Sequence, residues 1–313
     1  MNLQQVIALA DHLRANHYEF VTITPESHRA VLARDFDLSQ ANLRDIFGWN
    51  RPFKQGCINH NILLSAQEAS IFSQHSEGSK SNIRFSTLEN HLFMHSAYPT
   101  TDEDTVFFGP DSYRYARLIK QTVASMTKKR RNKVIDIGTG SGVGGVVLAS
   151  ALQHQYESLL LTDINPKALE YAKINVAINQ APRVECCISD LYESVTAPFD
   201  VIVSNPPYLV DSSERAYRHG GGEYGSLLST RIVLEGLPLL ADDGVMMLYT
   251  ASPIVDGNDL FLDSIKQIFS DKNYSVVYEE IDGDVFGEEL STLAYRQVDR
   301  IAVVSLVVHK INH

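Results

Sequence analysis

Residues 101–313 predict an α/β fold, a doubly wound sheet of seven strands, and residues 1–100 predict a smaller, mainly helical domain before it. Three observations lead to this prediction. Segments with strand and helix character alternate from residue 109 to the end of the chain. A glycine-rich turn, residues 138–145, separates the first strand from its helix. Acidic residues and an Asn-Pro-Pro-Tyr segment follow the next strands, at the edge where such sheets bind ligands.

The composition is that of a soluble globular protein, with 44% hydrophobic and 21% charged residues and a net charge of −11 over 313 residues. Residues 1–100 hold 8 Lys and Arg against 9 Asp and Glu, so the acidic surplus lies in the second domain. This surplus argues against a broad hold on nucleic-acid phosphates, although a local patch can still bind a nucleic acid. The sequence predicts neither a membrane span nor a signal peptide, and therefore no membrane partner.

Three cysteines and eleven scattered histidines give neither a disulfide framework nor the spacing of metal ligands. We therefore expect no metal and a location in the reducing cytoplasm. One basic run, residues 128–133, lies between a helix and a strand. A solvated helix end is its expected structure, and whether it contacts the substrate is left open.

The first domain is predicted from capping residues and a short hairpin. Thr24 and Pro25 begin the second helix, and Ser39 caps the third. The predicted helices span residues 3–16, 25–34, 40–47 and 62–71, and the two hairpin strands span residues 82–88 and 91–96. Helices followed by a hairpin are typical of a winged-helix domain, for which we expect a substrate-presenting or structural role. The polar stretch 98–104 predicts the domain boundary.

The elements of the second domain follow in a regular order. Its predicted strands span residues 133–137, 158–162, 183–188, 201–203, 245–250, 274–281 and 301–309. Its predicted helices span residues 111–124, 166–178, 229–240 and 259–270, with one more between the glycine-rich turn and residue 152. Because the carboxyl ends of neighbouring parallel strands meet at one edge, the residues that follow them should form one site.

The glycine-rich turn allows a ligand to approach the backbone closely, because glycine has no side chain. A dinucleotide fingerprint G-x-G-x-x-G does not fit, since Val143 occupies its sixth position. The chain also lacks the Gly-Lys-Ser/Thr of a phosphate-binding loop. Asp136, inside the first strand, gives D-x-G-x-G-x-G instead, with glycines at 138, 140 and 142.

Polar residues end the next two strands. Asp163 closes the second strand, where a carboxylate can accept both hydroxyls of a ribose. Asp190 follows the third strand, where it can accept from an adenine amine, with Leu191 beside it to pack on the ring. Either acid alone is as compatible with a helix cap or a turn, but together with the turn they predict a nucleoside site.

The stretch Asn205-Pro206-Pro207-Tyr208 ends the fourth strand. Two prolines fix the backbone and remove two N–H donors, which leaves carbonyl groups as acceptors. An Asn side chain, a carbonyl and an aromatic ring together suit a planar group that carries N–H donors. This stretch therefore predicts the part of the site that holds a second ligand.

Four segments, VIDIGTGSG, LLLTDINPKALEYAKINVAIN, CCISDLY and FDVIVSNPPYL, carry a family resemblance. Over residues 105–313 they resemble the successive motifs of class I S-adenosylmethionine-dependent methyltransferases. The Asn-Pro-Pro-Tyr form is similar to that of enzymes that methylate planar nitrogens: the glutamine N5-methyltransferases of release factors and ribosomal protein, adenine-N6 DNA methyltransferases and RNA-modifying relatives. The segment GGEYGSL, residues 221–227, also resembles the GG-x-x-G-L of the glutamine enzymes.

The resemblance implies S-adenosyl-L-methionine as the cofactor and a Rossmann-like sheet whose last strand is antiparallel. It implies Asn205, Pro206 and Tyr208 as catalytic residues, with the Asn205 oxygen and the Pro206 carbonyl accepting the two N–H groups of the acceptor. The residues that it implies as cofactor contacts are Asp136, Gly138, Thr139, Gly140, Gly142, Asp163, Ile164, Asp190, Leu191, Asn205 and, at the methionine end, Phe108.

The methyl acceptor stays open at this point. A protein Gln or Asn side chain, in a translation factor or ribosomal protein, is the first expectation. An RNA or DNA base amine, adenine-N6 or guanine-N2, is the second, and a non-catalytic nucleoside-binding module is the third. The segment VFFGPDSY stands where the glutamine enzymes carry a Pro-Glu-Thr-Glu-like segment. With DVFGEEL at 284–290, the chain is similar to a group of bacterial methyltransferase-like proteins that have an added N-terminal domain.

Overall fold

The computed structural model describes residues 1–126, 131–211 and 218–311. The first hundred residues form short helices and two hairpins. The helices are α1 (Leu3–Ala15), α2 (Pro25–Leu32), α3 (Leu43–Phe47) and α4 (His60–Glu68). The strands are β1 (Phe72–His75) paired with β2 (Gly78–Ser81), and β3 (Ile83–Leu88) paired with β4 (His91–Ser96), each pair antiparallel.

The helices, the Thr24 cap and the β3–β4 hairpin were predicted, but the cap of α3 and the β1–β2 hairpin were not. Thr24 caps α2, and its hydroxyl accepts from the Ser27 amide at 3.3 Å. Ser39 does not cap α3, because it lies in a 3₁₀ turn that Asp37 begins. Asn42 caps α3 instead and forms a reciprocal capping box with Asp45. The β1–β2 hairpin escaped prediction because its strands are short and polar.

The rest of the chain forms one central sheet with helices on both faces. Its strands are β5 (Arg131–Ile137), β6 (Tyr156–Asp163), β7 (Val184–Ile188), β8 (Phe199–Ser204), β9 (Leu240–Val255), β10 (Asn258–Asp259), β11 (Tyr274–Asp282) and β12 (Arg300–Lys310). Its helices are α5 (Pro110–Ser125), α6 (Val143–Ala151), α7 (Pro166–Ile178), α8 (Leu227–Gly236) and α9 (Leu260–Ile265).

The order of strands in the sheet is β7–β6–β5–β8–β9–β12–β11. The first five are parallel, and β12 is antiparallel to both of its neighbours. The predicted seven-stranded, doubly wound sheet with an antiparallel last strand is therefore confirmed. The two-residue β10 adds an eighth strand beside β9.

Successive residues of the central strands enter different cores, as side chains of a strand alternate between faces. Val134 and Val201 pack with α5 and α6 on one face, whereas Ile135 and Ile202 pack with α8 and α9 on the other. Both faces are covered, which explains why these strands are continuous apolar runs in the sequence.

The first hundred residues share a core with α7. Ala168, Tyr171, Ile174 and Ile178 of that helix pack with the apolar residues of α1, α4 and the β3–β4 hairpin. Hydrogen bonds from two asparagines, one turn apart at the end of α7, stabilise this packing. The boundary predicted at residues 100 and 101 stays a prediction, since this core extends across it.

Each of these asparagines binds the backbone of β4 twice. Asn175 accepts from the Met94 amide at 2.7 Å and donates to the Met94 carbonyl at 2.8 Å. Asn179 does the same with Leu92, at 3.0 and 2.9 Å. The side chains of α7 thus satisfy the free edge of the hairpin as a neighbouring strand would.

Two findings concern partners outside the chain. Across residues 1–126, 131–211 and 218–311, no helix is long and apolar enough to cross a bilayer. Within the same ranges, no three His, Cys, Asp or Glu residues form a group that could hold a metal ion. Of the basic run at 128–133, residues 128–130 lie outside the described residues, and the remainder begins β5.

Candidate active site

A pocket of about 210 Å³ lies at the carboxyl ends of β5, β6, β7 and β8. It contains most of the residues that the sequence singled out. The predicted residues that line it are Asp136, Gly138, Thr139, Gly140, Asp163, Ile164, Asp190, Leu191, Asn205, Pro206 and Tyr208. Two predicted cofactor contacts, Gly142 and Phe108, do not line it.

Phe108 is a core residue. Its side chain is 1% exposed and stacks with the His95 ring at a centroid distance of 5.1 Å. The preceding Phe107 lines the pocket instead. Phe107, and not Phe108, therefore faces the pocket, and a contact between Phe108 and the cofactor stays a prediction.

Gly142 has a packing role. Its φ of +81° and a close approach to the Cα of Ala172 in α7, at 3.2 Å from an added Cβ, both require glycine. Gly142 allows the turn and α7 to pack closely beside the pocket, and its contact with the cofactor stays a prediction.

Asp136 organises the glycine-rich turn from inside. One carboxylate oxygen accepts from the Tyr115 hydroxyl at 3.1 Å, and the other accepts from the Thr139 hydroxyl at 2.5 Å and the Gly145 amide at 2.9 Å. Burial raises the pKa of Asp136 from 3.8 to about 6, against the lowering effect of these donors. Gly144 must lack a side chain, because a Cβ there would lie 2.7 Å from Asp136.

Asp163 links the turn to the end of β6. Its carboxylate accepts from the amides of Gly140 and Asn165, each at 2.9 Å. Burial raises its pKa, and the amide bonds oppose that effect. A carboxylate has about four lone-pair positions, so two remain for ligand hydroxyls. The rigid backbone around Asp163 fixes where those positions lie.

An apolar wall and an exposed acid complete this half of the pocket. Ile164 is 57% exposed and Leu191 is buried. Leu191 has a left-handed φ of +46°, which a branched side chain adopts at a cost. The Ser189 hydroxyl holds this turn by donating to the Leu191 carbonyl at 3.0 Å. Asp190 is half exposed and pairs with Arg231 at 3.7 Å.

The Asn205–Tyr208 stretch lies across the pocket. Asn205 is half-buried at the pocket wall, and its side chain bonds to no other residue in the described ranges. Tyr208 is buried, and the negative charge of Asp111 acts on its hydroxyl. Burial and that negative charge raise the pKa of Tyr208 well above its usual range. Tyr208 is therefore a neutral donor with a fixed ring.

Asp111 is one residue that sequence reasoning missed. It is 4% exposed in the first turn of α5, and it also accepts from the Tyr249 hydroxyl at 2.7 Å. Arg114, one turn later, lies 3.4 Å from it. The available signal was an acid directly after Pro110 at a helix start, where the helix dipole favours a negative charge.

Two distant segments hold the Asn205–Tyr208 stretch. An added Cβ on Gly225 would lie 2.5 Å from the Tyr208 carbonyl, and its φ is +88°. Arg218 forms an ion pair with Glu289, and both Arg218 and Phe286 line the pocket. The ring of Phe286 lies 6.0 Å from that of Tyr208. Only the GG-x-x-G-L pattern signalled any of these contacts in the sequence.

S-adenosylmethionine fits the donors and acceptors that line this pocket. Asp163 has free acceptor positions for ribose hydroxyls, and Ile164 and Leu191 offer apolar surface for an adenine ring. Gly138 and Gly140 face open space, since an added Cβ on either would meet no atom within 4 Å. Fold and site together define a class of protein, one that binds a nucleoside-containing ligand at the end of a doubly wound sheet.

Comparison with known families gives the more specific assignment. Residues 117–253 match the methyltransferase small domain. Over these residues the chain is similar to S-adenosylmethionine-dependent methyltransferases. The matched residues run from α5 to β9 and include every strand end that contributes to the pocket.

Two curated relatives differ in what they methylate. The release factor glutamine methyltransferase of Lactococcus lactis is 29% identical over 179 residues, which cover 54% of this chain and 63% of that enzyme. The ribosomal RNA small subunit methyltransferase C of Haemophilus influenzae is 34% identical over 125 residues, 39% of this chain and 36% of that enzyme. The chain thus matches less than two thirds of the length of either relative.

A solved structure supports the fold. Wild-type Trm5b from Pyrococcus abyssi superposes with a TM-score of 0.52 over 93% of this chain and 79% of that one, at 14% sequence identity. A sequence identity this low supports a shared fold and no shared function.

Proposed function

We propose that the chain transfers a methyl group from S-adenosylmethionine to the side-chain amide nitrogen of a Gln or Asn residue in a protein. The observation that carries this proposal is the open amide of Asn205. It lies in the pocket wall without a partner among the described residues, next to Pro206, which lines the same pocket. Polar side chains at such positions are usually paired, so an unpaired amide here suits recognition of a ligand.

The chemistry explains why these groups are needed. S-adenosylmethionine supplies an electrophilic methyl group on a sulfonium sulfur. An amide nitrogen is a weak nucleophile because its lone pair is delocalised. In the proposal, the Asn205 oxygen and the Pro206 carbonyl each accept one N–H, which turns the lone pair toward the methyl group. The same two dipoles stabilise the positive charge that develops on nitrogen.

Tyr208 acts by position in this proposal. Its side chain is buried and its ring lies 6.0 Å from that of Phe286, so it forms a rigid wall against which a planar group can lie. Rate enhancement comes mainly from orientation. The side chains that hold the cofactor in this proposal are Asp163, Asp190, Ile164 and Leu191, together with the backbone of Gly138 and Gly140.

The choice of a protein amide rests on two similarities. The Lactococcus lactis relative is a release factor glutamine methyltransferase. Gly225 of the GG-x-x-G-L pattern lies against the carbonyl of Tyr208, so this pattern shapes the acceptor side of the pocket. A release factor or ribosomal protein is accordingly the proposed partner, and the cytoplasm, where both are found, is the proposed location.

A second candidate is methylation of an RNA base amine. It is favoured by the similarity to ribosomal RNA small subunit methyltransferase C. An exocyclic amine is planar and presents two N–H donors, as a primary amide does. Asn205 and Pro206 would therefore hold it in the same way, and the acceptor class must be decided by experiment.

A labelling experiment tests both parts of the proposal. Purified chain and S-adenosylmethionine with a tritiated methyl group are incubated with cell extract that has been treated with nuclease or protease. We expect label that survives nuclease and is lost with protease; the reverse pattern would assign a nucleic-acid acceptor. Asn205→Ala should lower transfer at least about 100-fold while cofactor binding, measured by calorimetry, stays within about twofold. Unchanged transfer by this variant would contradict the role of Asn205.

A further inference from the structure

The N-terminal region contains a buried arginine without an acidic partner. Arg84 of β3 is 4% exposed. Its Nε donates to the Ser96 carbonyl at 3.1 Å, and its two terminal nitrogens bond to no residue in the described ranges. The ionisable groups near it include the tyrosines Tyr18, Tyr98 and Tyr113 and no carboxylate. A buried guanidinium without a counter-charge is strongly unfavourable, so an anion is the expected partner.

The groups around Arg84 are cationic or neutral. His95 is its cross-strand partner on β4 and is fully buried. His28 of α2 is also buried, and its ring centroid lies 4.2 Å from that of Tyr98. Lys80 of β2 donates to the Tyr98 carbonyl at 3.1 Å and has no acidic partner among the described residues. Two cations therefore lie in a region that contributes no carboxylate.

His28 adds an acceptor to this cluster. Its Nε2 faces the Trp49 carbonyl at 3.0 Å and therefore carries the hydrogen. Burial and the charge of Arg84 lower the pKa of His28 to about 4, so the ring is neutral at pH 7. Its buried Nδ1 is then a lone-pair acceptor, and that atom has no partner in the structure. A ligand that satisfies both residues must accept from Arg84 and donate to His28.

We propose that Arg84, His28 and Lys80 form a binding site for a phosphate group, either free phosphate or a phosphate monoester. The two terminal nitrogens of a guanidinium match two oxygens of a phosphate in a bidentate pair. A singly protonated phosphate also has a hydroxyl to donate to the Nδ1 of His28. A fully ionised sulfate lacks that hydroxyl, so it should bind more weakly. The site is separate from the pocket at the ends of β5–β8.

Thermal unfolding in the presence of anions tests the site. The ionic strength is held constant, and inorganic phosphate is added at about 10 mM, a concentration that fills a weak site. Phosphate should raise the unfolding midpoint of the wild-type protein by several degrees, whereas sulfate should give a smaller shift and chloride none. Glycerol 3-phosphate, a phosphate monoester without a nucleoside, is a second arm: a shift with phosphate alone identifies the free ion, and a shift with both identifies the phosphate group of a monoester as well. Equal shifts with chloride and phosphate, or no shift with any anion, would overturn the proposal.

Variants locate the effect. Arg84→Met keeps much of the side-chain volume and removes the charge, and the phosphate shift should disappear. Arg29→Met, at an exposed position of α2, is the matched control and should respond like wild type. If Arg84→Met does not fold, judged by circular dichroism, Arg84→Lys replaces it and should retain less than half of the shift. A full phosphate shift in either Arg84 variant would also contradict the site.

Discussion

The two halves of the pocket are built in different ways. On the cofactor side, each acid is held by groups of the glycine-rich turn or of its own strand end: Asp136 by the Thr139 hydroxyl and the Gly145 amide, and Asp163 by the amides of Gly140 and Asn165. On the acceptor side, Asn205–Tyr208 is held by segments far along the chain. Gly225, Tyr295 and the Arg218–Glu289 pair all contribute. The cofactor half is held by the strand ends and the glycine-rich turn, whereas the acceptor half also depends on loops that follow it in the chain. Those loops can change while the cofactor half is kept, and so one cofactor site can serve different acceptors.

The largest expected effect comes from a change that disturbs only the acceptor half. Gly225→Ala would place a Cβ 2.5 Å from the Tyr208 carbonyl at a φ that disfavours alanine. The Asn205–Tyr208 stretch must then move. Since misplacing an acceptor by about 1 Å can cost roughly 100-fold, we expect single-turnover methyl transfer to fall by at least that factor, with cofactor affinity unchanged.

Gly287→Ala is the matched control for this experiment. It changes a glycine in the segment that carries Glu289, but an added Cβ there meets no atom within 4 Å. Transfer should stay near the wild-type rate. If Gly225→Ala lowered cofactor affinity as much as transfer, the two halves would not be independent, and the comparison above would fail.

The same contrast explains what the sequence could predict. The sheet could be predicted from apolar runs and a glycine-rich turn. Asp163 and Asp190 could be predicted as site residues because they stand at the ends of strands. Each of these signals spans only a few residues. Asp111 and Phe286 enter the pocket through tertiary packing. The acid after Pro110 marks a helix start, but the local sequence of neither residue indicates a place in the pocket. Phe108 was chosen over Phe107 because an apolar pair gives no information on which member faces the core.

The N-terminal region shows the same limit. The capping box of α3 lies in the sequence as Asn42 and Asp45, but Ser39 offered an equally plausible start three residues earlier. The contacts of Asn175 and Asn179 with β4 could not be predicted at all, because they join residues more than eighty positions apart.

A change on the cofactor half should show the opposite pattern. Asp163→Ala removes a charged acceptor that is available for two ribose hydroxyls, each worth roughly 1.5 kcal/mol. We expect the affinity for S-adenosylmethionine, measured by isothermal titration calorimetry, to fall about 100-fold. At saturating cofactor, the transfer rate should recover most of its value, because Asn205 and Pro206 are unaffected.

Asp163→Asn is the informative companion to that variant. It keeps an oxygen that can accept from the Gly140 amide and loses the negative charge. Its affinity should lie between those of the wild type and Asp163→Ala. Wild-type affinity in both variants would show that the ligand does not use the end of β6.

The smallest effect is expected at Asp190, the other acid of the cofactor half. Its side chain is half exposed and already pairs with Arg231 at 3.7 Å, so water and that arginine weaken any bond to an adenine amine. Asp190→Ala should lower cofactor affinity by roughly fivefold, about 1 kcal/mol. Raising the salt concentration should not widen the difference from wild type, because the adenine amine is neutral. If Asp190→Ala lowered cofactor affinity as much as Asp163→Ala, burial would not determine how much each acid contributes to binding. The turn fixed by Ser189 and Leu191 would then depend on Asp190.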